Sequence, residues 1–293
     1  METSNRTTLF VLVLLLLFCS LANAQDSTEA TRQLEGRKKG MLARVRRLLS
    51  DSRIRYDAAG KLSGKWRPGQ WTWHSSVEVT KIELKEGILK IKANRILLNY
   101  SRGIHKFMPL RTTETVEIEI QTSPDSNGNP DLEREWNKAF LTATELYPEG
   151  IQPYWKPFID CLVKPRTEEC QFYEKKSWEP DVYDVNPVSS WEPDLPDVYK
   201  VGGDVSEPKV RSRVEPVYTF VARQARIQGT VLLHAIVTKD GGIQISRIIR
   251  PLGYGLEESA AEALSKWTFR PATLLGQPVN VALFIEVNFN LRH

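Results

Sequence analysis

The stretch that decides the fold is V-N-V-A-L-F-I-E-V-N-F-N-L, from Val279 to Leu291. Every second residue is apolar, and these positions are Val279, Val281, Leu283, Ile285, Val287, Phe289 and Leu291. A period of two is typical of a strand with one face on a core and the other face in water. The stretch therefore predicts a half-buried antiparallel strand, and the residues before it have to supply the rest of its sheet.

The residues before this strand predict the other elements of an α+β domain over residues 208–293. Apolar residues at helical spacing indicate a first helix (Val217, Val221, Ala225) and a second helix (Leu256, Ala260, Leu264, Trp267). Between them, residues 231–237 alternate as a strand, residues 239–242 form a turn and residues 243–249 return as a strand. We therefore predict two helices on a three-stranded antiparallel sheet.

Several linked motifs of this domain resemble the TonB C-terminal domain family. They are Gln228-Gly229-Thr230-Val231, the Asp240-Gly241 turn, Gly255-Leu256-Glu257, Trp267 to Ala272 and Gly276-Gln277-Pro278-Val279. The resemblance covers about the last 80 residues. It implies a periplasmic domain that binds a short peptide of outer-membrane receptors by adding it as a strand.

We expect the last strand to be the edge that receives such a partner, because an exposed edge offers unpaired backbone N–H and C=O groups. The expected partner-binding residues are Leu283, Phe284, Ile285, Glu286, Val287 and Asn288. The alternative is that this strand lies inside the sheet, paired with a second protomer or with the middle domain.

The N-terminus predicts export to the periplasm. Arg6 precedes an apolar run from Leu9 to Phe18, and Ala22-Asn23-Ala24 supplies small residues before Gln25. This arrangement is typical of a secretory signal peptide over residues 1–24. The alternative is an uncleaved inner-membrane anchor, which normally needs about 20 apolar residues.

Removal of this signal leaves two cysteines, Cys161 and Cys170, in an exported chain. An even count in an oxidising compartment predicts a structural disulfide between them. Free thiols or a redox pair are the alternatives, but the spacing is not that of a Cys-x-x-Cys motif.

Residues 25–59 are expected to form a basic amphipathic helical segment. The stretch from Arg32 to Arg55 contains nine Lys/Arg residues and only two acidic residues. Its apolar residues Met41, Val45, Leu48 and Leu49 lie at helical spacing. Such a helix either lies on an anionic membrane surface or docks its apolar stripe on the next domain. A nucleic-acid partner is not expected, because the export signal leads to a different compartment.

Residues 60–172 predict a β-rich α+β domain. Alternating residues indicate strands around Trp71–Ser75, Val77–Leu84, Ile88–Ala93 and Val116–Ile120, with Glu86-Gly87 as a turn. Asp131 is expected to cap a helix whose stripe contains Leu132, Trp136, Phe140, Ala143 and Leu146.

Residues 173–207 are expected to be an acidic Trp/Pro linker. The stretch from Glu168 to Glu207 contains eleven acidic residues and three lysines. Within it, Ser177-Trp178-Glu179-Pro180-Asp181 recurs as Ser190-Trp191-Glu192-Pro193-Asp194. A Val-Tyr pair follows each copy, as Val182-Tyr183 and Val198-Tyr199. Proline at this density favours extended backbone, and the tryptophans are expected to anchor the linker on a domain surface.

No pattern of the sequence argues for catalysis, a cofactor or a metal site. The histidines are His74, His105, His234 and His293, and none lies at metal-ligand spacing with another histidine or a cysteine. His234 is interpreted as a packing or surface residue. Glu257 and Glu258 are interpreted as carboxylates that the positive end of a helix dipole stabilises.

The sequence thus predicts a non-enzymatic periplasmic protein-binding module that contacts an envelope partner, such as an outer-membrane receptor peptide, by strand addition. One alternative is a membrane-anchored TonB-type energy transducer. TonB proteins couple to the ExbB–ExbD channel through an N-terminal helix carrying a histidine, and residues 9–24 contain none. The other alternative is a homodimeric envelope scaffold.

Overall fold

The computed structural model describes residues 28–101, 106–124, 129–156, 159 and 197–291. The chain divides into two units. Unit 1 contains Met1–Ile96 and Arg111–Gly150, and unit 2 contains Leu97–Leu110 and Ile151–His293. The predicted signal peptide, both cysteines of the predicted disulfide, and the tryptophan repeats lie outside the described residues.

Unit 1 is built on a five-stranded sheet in the order β1-β3-β4-β5-β2. The strands are β1 (Leu42–Arg44), β2 (Arg53–Tyr56), β3 (Ser76–Lys85), β4 (Ile88–Ser101) and β5 (Lys106–Gln121). The predicted turn at Glu86-Gly87 joins β3 to β4, and both residues have positive φ, 52° and 71°. Two strands of this sheet thus come from the segment before residue 60.

The described helices of unit 1 are short: α1 over residues 28–38, α2 (Trp71–His74) and α3 (Leu132–Ala139). Asp131 caps α3, because its side chain accepts a hydrogen bond of 3.1 Å from the Arg134 N–H. α3 ends earlier than the apolar stripe predicts, since Phe140 is extended (φ −121°, ψ 149°). Its ring still stacks on Trp136 with centroids 4.0 Å apart.

The predicted helix through Met41, Val45, Leu48 and Leu49 is wrong. α1 ends at residue 38, Gly40 has a φ of 79°, and β1 then pairs antiparallel with β3. Ala43 and Val45 are buried at alternate positions, which is the burial pattern of a strand. Pairing with β3 therefore overrides a spacing that is also compatible with a helix.

The basic residues of this segment are partnered inside unit 1. Six of them form ion pairs with carboxylates of residues 117–149: Arg37 and Lys38 with Glu133, Arg46 with Glu145, Arg47 with Glu149, Arg53 with Glu117, and Arg55 with Glu119. The Arg46 guanidinium, which donates to the Glu145 carboxylate at 2.5 Å, lowers the pKa of Glu145 to about 2. The positive charge is therefore largely compensated within the unit.

The predicted strand at Trp71–Ser75 is instead the helix α2. Trp71 and Thr72 are both buried, whereas successive residues of a half-buried strand face opposite sides. His74 Nδ1 accepts a hydrogen bond of 2.9 Å from the Gln70 N–H, and burial lowers the pKa of His74 to about 4. The imidazole is consequently neutral at physiological pH.

Unit 2 contains a second five-stranded sheet, in which β11, β12, β8 and β9 are neighbours in this order and β6 also pairs with β12. The strands are β6 (Val198–Lys200), β8 (Gly229–Val237), β9 (Ile243–Arg250), β11 (Ala272–Leu274) and β12 (Gln277–Phe289). β7 (Lys209–Ser212) and β10 (Thr268–Arg270) form a separate ribbon. The long strands β12, β8 and β9 are antiparallel, and the short strands β11 and β6 bring the sheet to five strands instead of the three predicted.

Two helices accompany this sheet, α4 (Phe220–Gln224) and α5 (Leu256–Leu264). α4 begins later than predicted, because Thr219 is its N-cap and accepts from the Ala222 N–H at 3.2 Å. Val217 therefore precedes the helix and is 74% exposed. α5 begins after Gly255 and buries Leu256, Ala260 and Leu264 as its spacing predicts.

Residues from the middle of the chain complete unit 2. The N–H of Tyr254 donates to Asn99 Oδ1 at 2.9 Å, and the indole N–H of Trp155 donates to Glu258 Oε1 at 3.2 Å. Gly253 permits this approach, since a Cβ there would lie 2.8 Å from Asn99 Oδ1. The short 3₁₀ turn Pro153–Trp155 also packs against β9. Unit 2 is thus larger than the predicted domain of residues 208–293.

Candidate functional site

The predicted partner-binding residues lie in the middle of β12. On one side, β12 pairs antiparallel with β8 from Val281, opposite Val237, to Phe289, opposite Gly229. The backbone groups that face β8 are therefore used inside the sheet, and a partner strand has access only from the other side of β12.

On that other side, short strands cover only the first part of β12. β11 pairs antiparallel with Gln277–Val279, and β6 pairs parallel with Asn280–Ala282. The chain then turns away from β12 at Gly202 and Gly203, whose φ values are 129° and 57°, and Val205 bridges Leu274 of β11. Within the described ranges, no strand pairs with residues 283–289 on this side. Leu283–Asn288 therefore form an open edge among the described residues, and we call it the β12 edge.

The two faces of the β12 edge differ in polarity. Ile285 and Val287 are buried and Leu283 is half-buried, as the alternation predicts. On the opposite face, Phe284 is half-buried and Glu286 and Asn288 are exposed. A strand that pairs with this edge therefore has apolar neighbours on one face of the sheet and both apolar and polar neighbours on the other. We call the face of Phe284, Glu286 and Asn288 the mixed face.

Neighbouring strands hold the side chains of the mixed face. Glu286 pairs with Arg250 of β9 at 3.3 Å, and Asn288 Oδ1 accepts a hydrogen bond of 2.6 Å from the Thr230 hydroxyl. The Phe284 ring lies 5.0 Å from the His234 ring. These contacts orient the face before any partner is present.

His234 is part of this packing. Its Nδ1 lies 2.5 Å from Ser246 Oγ, and burial together with Arg247 lowers the pKa of the imidazole. The side chain is half-buried. Across the described part of the chain, no group of three or more His, Cys, Asp or Glu side chains is arranged to hold a metal ion.

Glu257 lies in the first turn of α5, as predicted, but burial opposes the charged carboxylate that a helix dipole would stabilise. Its side chain is fully buried, and Oε1 accepts a hydrogen bond of 2.5 Å from the Gly253 N–H. Burial, and then the neighbouring Glu258, raise the pKa of Glu257 to about 8, so this carboxyl is mostly protonated at neutral pH. Oε2 has no hydrogen-bond partner among the described residues. Full enclosure keeps the group away from any substrate in this conformation.

Among the features of unit 2 that were not predicted from the sequence, two lie next to the elements described above. One is β6, although the run Val198-Tyr199-Lys200-Val201 carries the β-propensity of a strand. The other is the contact of Trp155 with Glu258, for which no local signal exists because the residues are 103 positions apart. No helix in the described ranges has the length and apolarity needed to cross a membrane.

The region that contains the β12 edge is similar to proteins of a known family. Residues 214–291 match the family described as Gram-negative bacterial TonB protein C-terminal. Protein TonB of Vibrio cholerae serotype O1 (strain ATCC 39315 / El Tor Inaba N16961) is 32% identical over 83 residues, which are 28% of this chain and 34% of the relative. The match thus spans about a third of that relative's length. The resemblance predicted from the sequence is confirmed for the C-terminal domain.

Proposed function

We propose that this chain, a TonB-like envelope protein whose residues 214–291 carry a TonB C-terminal domain, binds a partner by β-strand addition to the β12 edge. The observation that supports this proposal is the side of Leu283–Asn288 that no strand of the described residues covers, in a strand whose other side pairs with β8 from Val281 to Phe289. The protein acts as a binding module and not as an enzyme.

The physical basis is the backbone of the edge. Six residues in an extended strand span about 20 Å, and alternate residues direct their N–H and C=O groups to the open side. A partner strand satisfies these groups without a change of fold, because the pairing of β12 with β8 remains intact.

The side chains supply selectivity. In the partner strand, an aromatic or β-branched residue directly beside Phe284 makes binding more favourable. A basic residue beside Glu286 has the same effect. The partner we propose is an extended segment of an envelope protein, such as the exposed peptide of an outer-membrane receptor. The site of action is the periplasm, which the predicted signal peptide over residues 1–24 makes accessible.

The test is selection of a displayed random-peptide library on the immobilised full chain. The affinity of the enriched peptides is then measured for the wild type, for Ile285→Pro and for Ile249→Pro. Ile249 lies in a bulge of β9, where proline is tolerated, and serves as the matched control. We expect Ile285→Pro to weaken binding by roughly tenfold or more, because proline bends the strand and removes a backbone donor.

A footprint keeps the test independent of whether Ile285→Pro folds. In the wild type, the bound peptide should slow amide hydrogen exchange of the alternate residues of Leu283–Asn288 whose N–H groups face the open side, and it should leave β9 unchanged. Peptides that bind both proline variants equally well, or that protect another surface, would contradict the proposal. A peptide-independent dimer with the same protected residues would favour the scaffold alternative instead.

A further inference from the structure

Residues 209–223 of unit 2, which we call the 209–223 segment, expose several apolar side chains to solvent. Val217 and Phe220 are 74% and 72% exposed, and Val210 and Val214 are 46% and 38% exposed. A single exposed apolar residue is ordinary on a protein surface, whereas a group of them marks a surface that another apolar phase or molecule covers.

Hydrogen bonds hold this segment along α5. The indole N–H of Trp267 donates to the Val214 carbonyl at 2.9 Å, and the Ser259 hydroxyl donates to the Val217 carbonyl at 2.5 Å. The backbone of the segment therefore lies against the helix and the residues that follow it. The side chains that stay exposed consequently share the outer side of the segment.

Positive charges accompany these apolar side chains. The segment contains four basic residues, Lys209, Arg211, Arg213 and Arg223, and one acidic residue, Glu215, and all five are exposed. The ion pairs described in unit 2 lie elsewhere and include none of these residues. The segment is therefore a net positive surface whose charge the described part of the chain does not compensate.

A further basic residue extends this surface across the β7–β10 ribbon. Lys209 lies directly opposite Arg270 in the antiparallel pairing of the two strands, and Arg270 is also exposed. Like charges at directly opposite positions repel each other. No carboxylate of the described residues pairs with either side chain. An anionic group that binds from outside at this position removes the repulsion.

The exposed apolar side chains distinguish this surface from a protected strand edge. Within the described ranges β7 pairs only with β10, and basic residues on such an edge prevent aggregation. That role explains charge on β7, but it does not explain why Val217 and Phe220, which lie outside the ribbon, are exposed. Positive charge beside exposed apolar side chains fits a surface that is anionic at its boundary and apolar beneath it.

We propose that the 209–223 segment binds the surface of an anionic phospholipid membrane. Its basic residues lie at the level of the lipid phosphates, and Val217 and Phe220 enter the boundary between headgroups and acyl chains. Each basic residue near such a surface strengthens binding about fivefold. The inference goes beyond the proposed function, because none of these residues belongs to the β12 edge.

Co-sedimentation with lipid vesicles tests the inference. The protein used is the chain from Gln25 onward, because it contains every residue that the structure describes and lacks the apolar run from Leu9 to Phe18. We expect it to bind phosphatidylglycerol vesicles at least about tenfold more tightly than phosphatidylcholine vesicles. Raising the salt concentration should reduce this difference, because salt screens exposed charges.

Two matched double variants locate the contact. Arg211→Gln with Phe220→Gln removes one exposed cation and one exposed apolar side chain of the segment, and the affinity for phosphatidylglycerol vesicles should fall roughly tenfold or more. Lys65→Gln with Trp66→Gln removes the same two kinds of side chain from unit 1, where Trp66 is 54% exposed. This control should bind like the wild type. All four residues are exposed, so both variants are expected to fold.

Equal affinity for the two kinds of vesicle, or an equal loss in both double variants, would overturn the inference. Binding of poly-glutamate in place of phosphatidylglycerol vesicles would also overturn it, because the partner would then be an acidic protein. The peptides selected on the β12 edge should bind the Arg211→Gln, Phe220→Gln variant as tightly as the wild type. Absence of vesicle binding together with normal peptide binding would refute this inference and leave the proposed function intact.

Discussion

At the scale of single residues, burial decides the charge of two titratable groups. His74 is enclosed in unit 1, and burial lowers its pKa to about 4. Glu257 is enclosed in unit 2, and burial raises its pKa to about 8. Each side chain is therefore neutral near pH 7, because transfer of a charge from water into the interior costs more than its few hydrogen bonds recover.

The raised pKa of Glu257 makes the stability of unit 2 dependent on pH. Between about pH 4.5 and about pH 8 the folded state holds a proton that the unfolded state releases, so the free energy of unfolding falls as the pH rises through this window. The total fall is on the order of a few kcal/mol. In Glu257→Gln the amide oxygen can still accept from Gly253 and does not titrate, so we expect the fall to disappear.

Urea unfolding of the full chain at about pH 5 and about pH 8 measures this effect. Glu262→Gln is the matched control, because Glu262 lies on the same helix and its side chain is 61% exposed. A pH dependence in Glu257→Gln equal to that of the wild type would show that another group is responsible.

At the scale of elements, short segments determine which part of the outer side of β12 is paired among the described residues. β11 and β6 cover three residues each of the outer side of β12, and the 3₁₀ turn Pro153–Trp155 packs against β9. The same turn carries Trp155, whose indole N–H donates to the buried Glu258 carboxyl. A short irregular element is in this way attached to the start of α5.

We expect Trp155→Phe to destabilise unit 2 by about 1–3 kcal/mol. Phenylalanine keeps most of the buried aromatic surface but removes the indole N–H that donates to the Glu258 carboxyl, a group that is 1% exposed. Thermal unfolding of the full chain measures the change. Trp66→Phe, at a tryptophan that is 54% exposed, is the control and should leave the midpoint nearly unchanged. Equal shifts in both variants would mean that the Trp155 hydrogen bond contributes little.

At the scale of the whole molecule, the family-matched region and the structural unit have different bounds. The family model matches residues 214–291, whereas unit 2 also contains Leu97–Leu110 and residues from Ile151 onward. Phe107 from the first of these segments lies 5.7 Å from the Trp155 ring, edge to face. The TonB-like domain of this chain is thus packed with residues that precede it in sequence.

A fragment of residues 197–293 tests how much these segments contribute. It keeps β6 and the whole family-matched region but loses Asn99, Phe107 and Trp155. We expect its free energy of unfolding to be lower than that of unit 2 in the full chain by at least about 2–3 kcal/mol, from two hydrogen bonds and one buried tryptophan. Chemical unfolding followed by exchange of the β8 amides compares the two chains. Equal stability would mean that the C-terminal domain is independent of the preceding segments.

The sequence predicted those elements whose signals are local. β8, β12 and the start of α3 follow from side-chain periods and from the capping aspartate Asp131, which act within a few residues. The six residues of the candidate edge were named from alternation and family resemblance, and the structure places them on one strand beside β8. Their role in binding remains a proposal.

The sequence by itself determined the class of the C-terminal domain, because the alternation of Val279–Leu291 and the linked motifs before it are properties of neighbouring residues. Only the tertiary structure decided that residues 42–44 are a strand, that Glu257 is buried, and that β6 ends before Leu283–Asn288, which no other described strand covers on that side. Each of these depends on which distant surface meets the segment. Local sequence does not specify that surface: not the helical spacing around residues 42–44, nor the acidic side chain of Glu257, nor the Val-Tyr pair of β6. Strand pairing and burial contribute larger free energies than local conformational preference, so they determine the outcome.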